Sequence, residues 1–92
     1  MSTEAEEKQM VEALKQTMLE KLAKNRNKTP WAVVHPSSLH AMMSGKSCEL
    51  FSAMLNGDIV KIMEEAANVA NFAGMIHDLA RRSLKEEARW KD

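Results

Sequence analysis

Four side chains near the middle of this 92-residue chain have types and spacings that could work together: Lys46 and Glu49, three residues apart, then Glu65 and Asn68, again three apart. An ammonium, two carboxylates and an amide can hold a phosphate, a cation or one another. The choice depends on what brings the two pairs to one level. Between them, Asn56-Gly57-Asp58 reads as a stop-and-start signal, in which glycine suits a left-handed C-terminal cap and aspartate caps the next helix. If the chain reverses at Gly57, residues whose numbers sum to about 114 face each other, which pairs Lys46 with Asn68 and Glu49 with Glu65 about 12 Å from the bend. Polar groups between packed helices are costly unless paired. Spacing alone therefore favours the two glutamates at the rim, in water and screened by Lys46.

The elements that must position these residues are helical. Thr3 followed by Glu6 has the capping-box pattern, and Met10, Val11, Leu14, Met18, Leu19 and Leu22 trace one face, predicting a helix over residues 3–24. Asn25-Arg-Asn-Lys-Thr-Pro30 and the Trp31 to Pro36 segment, confined between two prolines, read as an ordered connector over 25–36, packed by Trp31. A second helix over 37–55 puts Leu39, Met42, Met43, Leu50 and Met54 on its apolar face. A third runs over 59–88 through Ile62, Met63, Ala66, Val69, Ala70, Ala73, Ile76 and Leu79. The expected fold is all-α: one domain, residues 1–92, whose helices 2 and 3 form an antiparallel hairpin. Two chains then join into a four-helix-bundle core, with Ala66, Ala70, Ala73 and Gly74 letting the third helix approach a neighbour closely.

Composition narrows the function. Thirteen basic and thirteen acidic side chains cancel, which argues against coating duplex nucleic acid or anionic lipid. Hydrophobic residues make 45% of the chain and charged ones 28%, the balance of a folded domain. With one cysteine, Cys48, the chain can form no internal disulfide, and it is best read as a buried thiol. No apolar run approaches the roughly 20 residues of a membrane span, and the acidic N-terminus differs from a signal peptide, so a cytoplasmic protein is expected. Eight methionines against four aromatics suit a helical core or a dimer seam.

The strings Glu49-Leu50, Leu55-Asn56-Gly57-Asp58 and Glu65-Ala-Ala-Asn68-Val-Ala-Asn-Phe-Ala73, preceded by Lys21-Leu-Ala-Lys-Asn25 and Lys28-Thr-Pro-Trp31, carry a resemblance. Over residues 18–80 the chain is similar to the MazG-like all-α nucleoside triphosphate pyrophosphohydrolases, in the short version common in phages and prokaryotes. That resemblance implies a magnesium site built from acidic pairs on two helices, and release of pyrophosphate from a nucleoside triphosphate. Carried over by position, Glu49 and Glu65 match catalytic metal ligands. Lys46 and Asn68 stand where the family has acids, and Gly45 stands where it has another. Most of the attraction for a divalent ion is thereby removed, and an ammonium near a metal repels it by about 4 kcal/mol per unit charge at 4 Å and an effective dielectric of 20.

The expectation is therefore a degenerate pyrophosphohydrolase that binds a nucleotide or phosphate ligand through Lys46, Asn68, Lys28 and Trp31, with weak or no hydrolysis. The alternatives are an active enzyme using Mg²⁺ at Glu49 and Glu65, and a protein-interaction module of a phage or mobile element. A homodimer or higher homo-oligomer is expected in each case, and no cofactor unless the enzyme is active. Lys21, Lys24, Arg26 and Lys28 form a basic cluster better read as a solvated helix end complementing the helix dipole than as a phosphate grip. His35, His40 and His77 share no ligand spacing, and there is no glycine-rich phosphate loop.

Overall fold

Thr3 and Glu6 cap each other's backbone amides, and the first helix, α1, begins at Glu4 and runs to Lys24. At its far end the Asn25 amide donates to the Lys21 carbonyl, covering one of the acceptors that a helix leaves unpaired. The computed structural model describes residues 1–28 and 30–85; it holds three α-helices and, among those residues, no strand. After a single 3-10 turn at Trp31–Val33, α2 spans Pro36–Asn56. It starts one residue earlier than expected because Pro36 needs no donor at a first helical position, while His35 Nδ1 accepts the Ser37 N–H at 3.1 Å.

The hairpin forms as its three-residue signal implies. Gly57 closes α2 with φ 65°, in the left-handed region that a side chain disfavours. Asp58 then accepts the Lys61 N–H and starts α3, Ile59–Arg82. This helix is shorter than the expected 59–88: the Ser83 hydroxyl donates to the Leu79 carbonyl, and the chain tightens into a 3-10 turn at Ser83–Lys85. Residues 86–88 of that expected helix lie outside the described residues.

α3 is the shared partner, with α2 packed closely along one side and α1 along another. On α2 the covered positions are Pro36, Leu39, Met43, Lys46, Leu50 and Ala53, spaced alternately by three and four. That register excludes Met42 and Met54, which are exposed although both were expected on the apolar face. The first ten residues of α1 are exposed throughout, so Met10 and Val11 stay in water, as does Leu19, while Leu14, Met18 and Leu22 are half-buried. Gly74 faces α1, where a Cβ placed on it would meet the Met18 methyl at 3.9 Å. Among the described residues no helix is long and apolar enough to cross a membrane.

Candidate functional site

The reversal at Gly57 brings Lys46, Glu49, Glu65 and Asn68 together. Lys46 Nζ lies 3.0 Å from Glu49 Oε2 on its own helix and 3.8 Å from Glu65 Oε1 across the hairpin. Asn68 Nδ2 donates to the same Glu65 oxygen at 2.6 Å. The other Glu65 oxygen lies 3.7 Å from Lys61 Nζ, one helical turn back. Both carboxylate oxygens thus have a cationic neighbour, which burial demands: Glu65 is only 2% exposed, and an ion this deep costs several kcal/mol, about 3–5 kcal/mol if its partners are removed.

The two glutamates differ. Glu49 lies at the rim with its side chain 54% exposed, as expected, whereas Glu65 is buried, contrary to the expectation from spacing. The reason is register. Position 65 lies opposite the covered stripe of α2, and the two lysines supply the compensation that isolated spacing does not count.

Lys46 is hydrogen-bonded to Glu49, and this bond raises its pKa above the usual lysine value; the fields of Glu65 and Glu49 add to it while desolvation opposes. The same bond, chiefly, lowers the Glu49 pKa, helped by contact with the Glu65 carboxyl group and by the charges of Lys46 and Lys61, against a smaller opposing desolvation. The cluster is a charge-balanced set of two carboxylates, two ammoniums and an amide.

Lys61 was not among the residues expected from sequence. Its signal was available in the i,i+4 relation to Glu65, but that pairing is common on solvated helix faces. Beside the cluster, between Glu49 and Lys61, an open cleft of about 380 Å³ is lined also by Cys48, Ser52, Asn56 and Asp58. Cys48 is exposed, which corrects the expected buried thiol: it lies between Ser44 and Ser52 in helical spacing, away from the stripe packed on α3.

The remaining expected ligands lie elsewhere. Trp31 Nε1 donates to Asp78 Oδ2 at 3.0 Å, about 15 Å along α3 from Asn68 at the usual rise. Asp78 also accepts from Arg81 at 2.6 Å and pairs with Arg82 at 2.8 Å, so Trp31 anchors the connector to the end of α3 and does not reach the cluster. Lys28 is exposed in the turn after α1, its N–H bonded to the Asn25 carbonyl. Lys21 pairs with Glu64 at 3.4 Å and helps hold α1 to α3, and the buried Asn71 amide donates to the Met18 carbonyl in the same interface. The basic cluster thus gives one member to packing, a use that neither sequence reading included.

The donor set fits magnesium poorly. Mg²⁺ requires several oxygen ligands in near-octahedral order, and here an ammonium already stands between the two carboxylates. Among the described residues no group of three His, Cys, Asp or Glu side chains is placed to hold a metal ion. No protein-family model, curated protein or solved structure matches the chain.

Proposed function

We propose that this protein binds a phosphate-bearing ligand, most simply a nucleotide, on a MazG-like helical scaffold whose capacity for metal-dependent hydrolysis is weak or lost. The observation that carries this reading is the place of Lys46 Nζ, between Glu49 and Glu65, where a cation would otherwise be needed. An internal ammonium neutralises the two carboxylates without a metal. Its single close hydrogen bond, to Glu49, leaves donors for a phosphate oxygen, and its side chain is 37% exposed, open enough to be reached. Lys61 provides a second ammonium at the same carboxylate and also lines the adjoining cleft.

Glu65 takes a structural role in this reading, holding Lys46 and Lys61 in place. Asn68 fixes the Glu65 rotamer through a 2.6 Å hydrogen bond. Hydrolysis would need Lys46 to leave its position before two carboxylates could share a divalent ion.

Calorimetry tests the reading. Deoxynucleoside triphosphates and inorganic triphosphate titrated in the presence of a chelator should release heat with the wild-type chain, and much less with Lys46→Met. Absence of heat for every ligand contradicts the proposal. Pyrophosphate release that requires magnesium and is abolished in Glu65→Ala would instead support the active enzyme.

A further inference from the structure

The cleft beside the polar cluster carries a charge pattern that a phosphate alone does not explain. Glu49, Ser52 and Asn56 are spaced three and four apart, which sets them along one stripe of the last two turns of α2. Across the bend, Asp58 opens α3 and Lys61 follows three residues on. These five polar side chains line one open cleft of about 380 Å³. Two carboxylates against one ammonium leave its wall net negative, and Lys46, the other ammonium of the cluster, is not part of that wall. A phosphate carried inside would meet both carboxylates at short range, where like charges repel. The phosphate therefore belongs at the ammoniums on the rim, and the cleft must receive a different part of the ligand.

We infer that the cleft holds a sugar by its hydroxyl groups, so that the ligand is a phosphate ester of a polyol and, among nucleotides, a ribonucleotide in preference to its 2′-deoxy counterpart. The inference deepens the phosphate-binding reading proposed above and rests on it. An ionised carboxylate only accepts hydrogen bonds, and a sugar hydroxyl is a donor that brings no charge of its own. Asp58 uses one oxygen for the Lys61 N–H at 3.1 Å and keeps the other able to accept. Glu49 gives Oε2 to Lys46 at 3.0 Å, and its side chain is 54% exposed. The same contact holds the Glu49 carboxyl below its ordinary pKa, so it is an acceptor at neutral pH.

A vicinal diol offers two donors side by side to such a wall, and hydrogen bonds to ionised acceptors are about twice as strong as neutral ones. Ser52 and Asn56 can accept or donate, which suits the remaining sugar oxygens. No aromatic side chain lines the cleft, so it gives a base no ring to stack on. A second cation is a poorer match than a sugar, because the Lys61 ammonium already shares the wall.

Calorimetry of the full chain, in the presence of a chelator, compares ATP with dATP and CTP with dCTP, alongside inorganic triphosphate. Each ribonucleotide should bind about tenfold tighter than its deoxy form, the low end of what one hydrogen bond to a charged acceptor provides. The ratio should be the same for both bases. Equal affinities within each pair, with inorganic triphosphate still bound, overturn the inference and leave the phosphate reading standing. No heat from any of the five ligands overturns that reading itself. Asp58→Asn keeps a side chain that caps α3 but puts an amide in place of the carboxylate on the cleft, and the ratio should fall below about threefold. An undiminished ratio, with circular dichroism matching wild type, places the selectivity outside the cleft and overturns the inference. If Asp58→Asn loses helix content, Glu49→Gln takes its place in the same comparison with the same expected fall.

Discussion

Lys46 bridges two carboxylates of unequal exposure: its Nζ is 3.0 Å from the rim residue Glu49 and 3.8 Å from the buried Glu65. One flexible side chain on α2 therefore fastens α3 at a level where the packing between the helices is polar. The arrangement makes Glu65 a structural anion whose removal leaves Lys46 with Glu49 alone and takes from Lys61 its carboxylate neighbour.

Glu65→Ala should destabilise the fold by about 1–3 kcal/mol, less than for a fully buried ion pair because both lysines keep access to water. Glu65→Gln, which retains an acceptor for the Asn68 amide, should lose less. Urea denaturation followed by circular dichroism measures both, and equal midpoints for Glu65→Ala and wild type would show that the buried contacts carry no stability.

Gly45 lies inside α2, where an added Cβ meets no atom within 4 Å. Gly45→Ala should therefore stabilise the protein by about 0.5–1 kcal/mol through the unfolded chain alone. A lower urea midpoint for this variant would mean that position 45 is covered in the folded assembly.

Acid and base should weaken the fold through different groups. Glu49 and Asp78 both have pKa values held below their ordinary 4.5 and 3.8, Glu49 chiefly by Lys46 and Asp78 chiefly by Arg81 and then Trp31. Their stabilisation is complete above those ordinary values and is lost as pH falls through the lower folded ones. Lys46, raised above 10.5 by its bond to Glu49, contributes fully below that value and loses its contribution as pH rises through the higher folded one. For these three groups the contribution to thermal stability should thus be flat between about pH 5 and 10. The acid loss should shrink when Glu49→Gln and Asp78→Asn are combined; an unchanged acid midpoint would assign it to other carboxylates.

Trp31→Phe removes the indole donor to Asp78 and should cost about 1 kcal/mol. Because both residues act through one contact, Trp31→Phe added to Asp78→Asn should cost less than the two separate effects together. Full additivity in urea melts would show that the connector is held by other contacts.

Much of the hairpin was legible because its signals are local. The Thr3–Glu6 box, the left-handed Gly57 and the Asp58 cap each depend on neighbours within three or four residues, and each forms as expected. The meeting of residues 46, 49, 65 and 68 followed from counting outward from that turn. Which of them would be buried did not follow, because burial of Glu65 depends on the rotation of α2 about its axis and on Lys61. The same rotation exposes Met42, Met54 and Cys48, since an apolar or sulfur-bearing residue can occupy either side of a helix in a small domain. Trp31 was recognised as packing the connector. Its hydrogen-bond partner, 47 positions away, has no local signal.

Lys46 is proposed to take the place of a metal ion and to meet phosphate directly. A crystal structure of the protein grown with magnesium and a non-hydrolysable deoxynucleoside triphosphate tests it in one map. Phosphate density within hydrogen-bonding reach of Lys46 Nζ, with the ammonium still between Glu49 and Glu65, is the predicted result; a magnesium ion shared by those two carboxylates, with Lys46 displaced, would contradict it.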